Sequence, residues 1–214
     1  DDGFATTDKF AVNAGDGEDT LVVAAAADVD TADEAGRYTN FDVISNGTGD
    51  DLDMSLFSGI DKGTVTATNG GFLKMSAAMA GDITVTANND TFVMSLATST
   101  GTSDKLSVTS TNTTATTSSD FTTATITGFE ILEFAANSGD ANLGTAATVA
   151  TTDRTAVSFA AAADLTTVTL TGTKSVNLNL ANAVKVATVD ASGVAGGALI
   201  TLAANTVALT VTGS

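Results

Sequence analysis

Leu165-Thr-Thr-Val-Thr-Leu-Thr171, Ser175-Val-Asn-Leu-Asn-Leu180, Val184-Lys-Val-Ala-Thr-Val189, Ala198-Leu-Ile-Thr-Leu202 and Val207-Ala-Leu-Thr-Val211 succeed one another near the C-terminus, each alternating apolar with small polar side chains. A period of two sets successive side chains on opposite faces of an extended strand. Val168 and Leu170, Val176 with Leu178 and Leu180, and Val207 with Leu209 and Val211 therefore point inward. Thr169, Thr171, Asn177, Asn179, Thr210 and Thr212 take the other face, and Gly172, Gly193, Gly196, Gly197 and Gly213 mark corners. Strands recurring every nine to fourteen residues or so, in a chain without proline, fit the rungs of a solenoid. The expected fold is all-β, an irregular right-handed parallel β-helix or β-solenoid. A β-sandwich has the same patterning with antiparallel pairing and is the alternative.

Composition points the same way. Forty Thr and thirty-seven Ala stand beside ten Phe, one Tyr and no Trp, which suits a narrow core filled by thin layers. Further strands are expected at Thr20–Val23, Asp42–Ile44, Thr64–Thr68, Phe72–Met75, Ile83–Thr86, Thr91–Ser95 and Lys105–Thr109, with a short helix or surface excursion at Ala24–Asp33. The polar tract 110–120 suggests an acidic β-rich lobe over 1–120 and a Thr/Ala-rich solenoid lobe over 121–214, or one continuous domain. Asn40-Phe41-Asp42-Val43-Ile44 is echoed by Gly128-Phe129-Glu130-Ile131-Leu132, consistent with two related lobes or with two rungs of one stack.

The formal charge of -17 is unevenly placed: residues 1–61 hold fifteen carboxylates against two basic groups. That section repels itself unless cations or a partner neutralise it, and the field disfavours nucleic acid. Two Gly/Asp turns concentrate the charge, Gly15-Asp16-Gly17-Glu18-Asp19 and Asn46-Gly47-Thr48-Gly49-Asp50-Asp51-Leu52-Asp53. Glycines permit tight turns, while carboxylates and turn carbonyls are the hard oxygen donors that Ca2+ prefers. The candidate calcium ligands are Asp16, Glu18, Asp19, Asp50, Asp51 and Asp53, with Asp61 joining a nearby cage. Asp82, Asp90, Asp164 and Asp190 read as turn caps.

These turns resemble the glycine/aspartate motif of type I-secreted RTX proteins, and Val184–Ser192 followed by Gly196–Leu202 resembles the Thr/Ala-rich β-solenoid segments of bacterial surface-layer proteins. The resemblance implies secretion, calcium binding and assembly into a coat at the bacterial cell surface. The chain departs from it in lacking tandem Gly-Gly-X-Gly-X-Asp nonapeptides. Asp1-Asp2-Gly3 reads as an internal boundary of a longer precursor.

With no Cys and no His there is no thiolate nucleophile, imidazole base or disulfide framework. Glu130 and Glu133 fall on opposite faces of a strand, and Asp153-Arg154 reads as a surface pair, so the chain is read as non-enzymatic. No apolar run is long enough for direct membrane insertion. The expected function is structural, in an extracellular surface layer, through homo-oligomeric lattice contacts stabilised by calcium and with cell-surface polysaccharide as a further partner. The alternative is an adhesin-like glycan- or protein-binding module using the Thr-X-Thr pieces at Thr64/Thr66/Thr68, Thr84/Thr86, Thr169/Thr171 and Thr210/Thr212, with Lys174 and Lys185 set for anionic glycans.

Overall fold

The computed structural model describes residues 10–87, 91–111, 120–137, 155–202 and 204–213. In chain order the strands are β1 (Val12–Asn13), β2 (Thr20–Val23), β3 (Tyr38–Thr39), β4 (Val43–Asn46), β5 (Leu52–Asp53) and β6 (Lys62–Val65). There follow β7 (Phe72–Met75), β8 (Ile83–Val85), β9 (Val93–Leu96), β10 (Lys105–Ser110), β11 (Asp120–Thr127) and β12 (Ile131–Ala136). The last six are β13 (Thr155–Ala161), β14 (Thr167–Gly172), β15 (Val176–Asn179), β16 (Thr188–Val194), β17 (Ala198–Thr201) and β18 (Thr210–Thr212).

Even-numbered strands from β2 to β18 form one nine-stranded sheet, odd-numbered strands from β5 to β17 form a seven-stranded sheet, and β1 pairs with β3. The two larger sheets each add the strand two places on in sequence, as in β2 with β4, β5 with β7 and β15 with β17, and the pairing is parallel. This is an all-β parallel solenoid of about seven turns, each turn giving one strand to each sheet. The sandwich alternative falls, because a sandwich of hairpins needs antiparallel neighbours. Both sheets run across residue 120 through the β10–β12 and β9–β11 pairings.

Period-two alternation feeds two inward columns. Leu106, Leu132, Val168, Val189 and Val211 stack in one; Ile44, Gly63, Ile83, Val108, Phe134 and Leu170 stack in the next. Gly63 leaves a gap that the other sheet fills: a Cβ there would lie 2.6 Å from Phe72 and 2.7 Å from Met79. At mid-stack Phe121 sits edge-to-face with Phe92 at 5.5 Å and with Phe134 at 5.3 Å. Each fully buried Leu, Ile or Phe contributes roughly 1.5–3 kcal/mol, so the slender core is strong in sum.

The first rung has helical turns where later rungs have an odd strand. Ala26–Asp28 forms a 3-10 turn and α1 (Ala32–Ala35) follows, closed by a capping box between Thr31 and Glu34. Buried Val29 and Ala35 pack this segment onto the stack, in keeping with the excursion read at Ala24–Asp33.

Three local expectations shift. Val184–Ala187 turns a corner, with Ala183 and Val186 buried and Val186 N–H bonded to the Ala183 carbonyl, so the strand begins at Thr188. Gly193 lies inside β16, next to a register shift against β14, and is no corner. The last strand among the described residues is Thr210–Thr212, and Val207 and Val211, read as inward, are 43% and 44% exposed. The inward placement of Val168, Leu170, Val176, Leu178 and Leu180 holds, each being fully buried. Phe41–Ile44 and Phe129–Leu132 enter β4 and β12 at the same corner of two rungs, so their echo is the solenoid repeat.

Asn46, completely buried, ties a corner together. Its Nδ2 donates to the carbonyls of Asp50 and Gly71, both at 2.9 Å, and its Oδ1 accepts from the backbone N–H and hydroxyl of Thr48, both at 3.1 Å. Asn46→Ala is expected to destabilise by about 3 kcal/mol, lowering the melting temperature by on the order of 10 °C, whereas Thr188→Ser on the exposed face should stay within about 0.5 kcal/mol. Thermal unfolding followed by circular dichroism checks both; equal effects would mean the corner network is dispensable.

Candidate functional site

The corner that leads into β2, β4 and β6 gathers the polar groups of the acidic section. Gly15 (φ +96°) and Gly17 (φ +129°) shape the first turn, and Asn40 (φ +59°) and Gly59 (φ +83°) occupy the turns of the next two rungs. These left-handed conformations are why Gly or Asn stands at each place. Asn13 Oδ1 links two of the turns, accepting from Gly15 N–H at 3.0 Å and from Asn40 Nδ2 at 2.7 Å. The stacked turns leave a polar cleft of about 510 Å³ lined by Asp16, Asn40, Phe41, Asp42 and Ser58.

Asp19, Asp42 and Asp61 immediately precede β2, β4 and β6, and their backbones are bonded in series, Asp42 N–H to Asp19 and Asp61 N–H to Asp42. Asp42 Oδ2 also accepts the Asp19 N–H at 3.0 Å. The same device recurs four strands further along the nine-stranded sheet, where Glu130 accepts the Asp104 N–H at 2.9 Å. Asp19 Oδ2 is buried without a hydrogen-bond partner, an uncompensated carboxylate oxygen in an acidic corner. Glu18 is taken by an ion pair with Lys62, and that hydrogen bond raises the Lys62 pKa.

The remaining candidates lie at a different corner, between β4 and β5 and at the start of the seven-stranded sheet. Asp50 N–H donates to the Thr48 hydroxyl at 2.9 Å. Burial pushes the Asp51 carboxyl above its ordinary value; a Gly71 backbone hydrogen bond opposes the rise and the Asp50 charge adds to it. Asp53 caps the 3-10 turn Met54–Leu56 through Ser55 and pairs with Lys74 at 2.8 Å. Burial raises its pKa, but the Lys74 and Ser55 hydrogen bonds prevail and hold it low. The seven sequence-predicted ligands are therefore divided between two corners. Among the described residues no three acidic, His or Cys groups converge as a metal cage requires.

Asp190 does not cap a turn but lies inside β16, its Oδ1 accepting from Ser192 N–H at 2.9 Å across the register shift against β14, and Asp164 pairs with Lys185 at 3.6 Å. Asp90 and the Asp153-Arg154 pair lie outside the described residues. On the outer face of the nine-stranded sheet Thr64, Thr84 and Thr109 form a column. The neighbouring column holds Ser107, Glu133, Thr169, Asp190 and Thr212. Glu133 there binds Lys105 at 3.0 Å and Ser107 at 3.1 Å, so charge interrupts the threonine surface. Among the described residues no helix is long and apolar enough to cross a membrane. Sequence reasoning missed Asn13, Asn40 and Asn46; the signal available was an Asn one or two places from a Gly turn or a strand entry.

No protein family, curated protein or solved structure matches this chain.

The Lys105 hydrogen bond is the main reason that the Glu133 pKa is lowered, with burial opposing and Ser107 assisting. A lowered folded-state pKa gives stability that is present above the unfolded value of roughly 4.3 and lost as pH falls through the folded value. Glu133→Gln should therefore melt below the wild type near neutral pH, and the two should converge on acidification. Melting curves between about pH 2 and pH 7 check it; a gap that persists at the acid end would assign the effect to packing.

Proposed function

We propose that this chain is a structural module of an extracellular, surface-layer-like assembly on a bacterial cell, acting through protein–protein contacts with calcium bound at the acidic corner. The observation that carries this reading is the uninterrupted stack of two parallel sheets, a rigid rod that presents ordered rows of small side chains along its length. Such a rod suits repeated lateral contact. The module turns over no substrate: Glu130 and Glu133, the acids nearest to a catalytic pair in sequence, are engaged with a neighbouring rung's backbone and with Lys105.

The fit for calcium is better at one corner than the other. The buried, unpartnered oxygen of Asp19, whose backbone N–H is bonded to the Asp42 carboxylate, supports a cation there, and a bound ion would relieve the repulsion in residues 1–61. Asp50, Asp51 and Asp53 are less suited, since Asp53 is already paired with Lys74. The expected outcome is a calcium-dependent rise in melting temperature that Asp19→Asn diminishes by at least half while raising the melting temperature in chelator. Calorimetric titration with calcium after exhaustive chelation reads both; no binding heat and no melting shift would reject the calcium element. The assembly element is tested by electron microscopy of the chain with and without millimolar calcium, where ordered arrays are expected and dispersed particles under every condition would count against it.

One feature favours binding as a second reading. Phe41, Asp16, Asp42 and Asn40 in the corner cleft combine a ring with hydroxyl-binding groups, as sugar recognition requires. A glycan array gives saturable signal under that reading and none under the purely structural one.

A further inference from the structure

We infer that the cleft at the corner leading into β2, β4 and β6 selects a sugar carrying a protonated amine, with the Phe41 ring against the sugar and the Asp16 and Asp42 carboxylates on the ammonium. The inference deepens the binding reading above and rests on that cleft being a sugar site.

The lining sets the charge of the occupant. Asp16 and Asp42 are its ionisable groups, and no Lys or Arg lines it. Asp16 is exposed and pairs with no basic group among the described residues, while Lys62, at the start of β6, is held by Glu18. Two carboxylates with no cation between them repel a sugar bearing a carboxylate or phosphate and attract a cationic one.

The hydrogen-bonding inventory agrees. Asp42 uses Oδ2 on the Asp19 N–H, which leaves Oδ1. Asn40 uses one N–H on Asn13, which leaves its carbonyl and its other N–H. The Thr39 hydroxyl donates to the Val12 carbonyl. With the two oxygens of Asp16 added, acceptors outnumber donors in the cleft. An ammonium group brings three donors and no acceptor, and sugar hydroxyls bring more donors. An N-acetyl group in its place loses the charge and adds a carbonyl acceptor to a lining that already has an excess of them.

The ring supplies the other half of the recognition. Phe41 is partly buried against the core and lies 6.5 Å from Tyr38, so it is fixed in place before a ligand arrives. An aromatic face packs against the apolar face of a sugar ring and also attracts a nearby cation. The cleft volume of about 510 Å³ falls within the roughly 300–1,000 Å³ of small-ligand sites.

Calorimetric titration in chelator at about pH 6, where amines are protonated and carboxylates ionised, compares glucosamine, glucose, N-acetylglucosamine and glucuronate. Glucosamine is expected to bind at least about tenfold more tightly than glucose, and less tightly as salt rises. N-acetylglucosamine should do no better than glucose, and glucuronate should be weakest. Asp16→Asn, at an exposed and unpaired position, should remove most of the preference and leave glucose affinity unchanged. Phe41→Leu, shown by circular dichroism to be folded, should weaken both sugars alike. A preference that survives Asp16→Asn would overturn the assignment to this cleft, and ethanolamine binding as tightly as glucosamine would overturn the role of the sugar. Equal affinity for glucose and glucosamine would overturn amine selection while sugar recognition stands; no binding of any of the four would overturn both.

Discussion

In-register parallel pairing between successive rungs is the constraint on which the rest of this structure depends. Once Leu106, Leu132, Val168 and Val189 stand in one column, every residue between them has its face assigned, and a slip of one place would turn the whole column outward. Irregularity is therefore expelled to the corners. The separation between paired residues in the nine-stranded sheet ranges from 19, at Val43 and Lys62, to 36, at Ile131 and Thr167, without breaking the sheet. Where a column lacks volume, as at Gly63, the facing sheet supplies it through Phe72.

The same constraint decides where charge can go. Inward positions are closed to carboxylates, so the acids collect at strand entries and on outer faces, where they find specific partners. Asp42 and Glu130 accept backbone N–H groups from the rung before, while Glu18, Asp53 and Glu133 pair with Lys62, Lys74 and Lys105. These ion pairs are partly solvated and each is weak on its own. Among the described residues their arrangement leaves Asp19 as the acid whose buried side-chain oxygen has no hydrogen-bond partner.

The fold was legible because alternation is local: Val168 to Leu180 could be assigned to the core from the pattern alone, and those residues are buried. Less legible was the phase of pieces that wrap corners. Val184-Lys-Val-Ala alternates like a strand yet bends, since Ala183 and Val186 serve the core from a turn. The site was only half readable. Two Gly/Asp turns look alike in sequence, but one opens onto the β2 corner and the other onto β5, a separation set by which sheet each turn feeds. Asn46 carries a corner network that composition cannot announce, because its four hydrogen bonds reach backbone and side-chain groups from Thr48 to Gly71.

The absence of native cysteine makes the parallel register directly measurable. Thr64 and Thr84 are paired on neighbouring strands of the nine-stranded sheet, on its outer face. Adjacent strands lie about 4.8 Å apart, a distance that a disulfide spans. Replacing both residues, Thr64→Cys with Thr84→Cys, and oxidising the dilute protein should give one intramolecular bridge, seen by mass spectrometry as the loss of two hydrogen atoms without dimer formation. The pair Thr64→Cys with Thr169→Cys, which are not neighbours, should stay reduced. Free thiols at 64 and 84, or bridging of both pairs alike, would contradict the in-register stack.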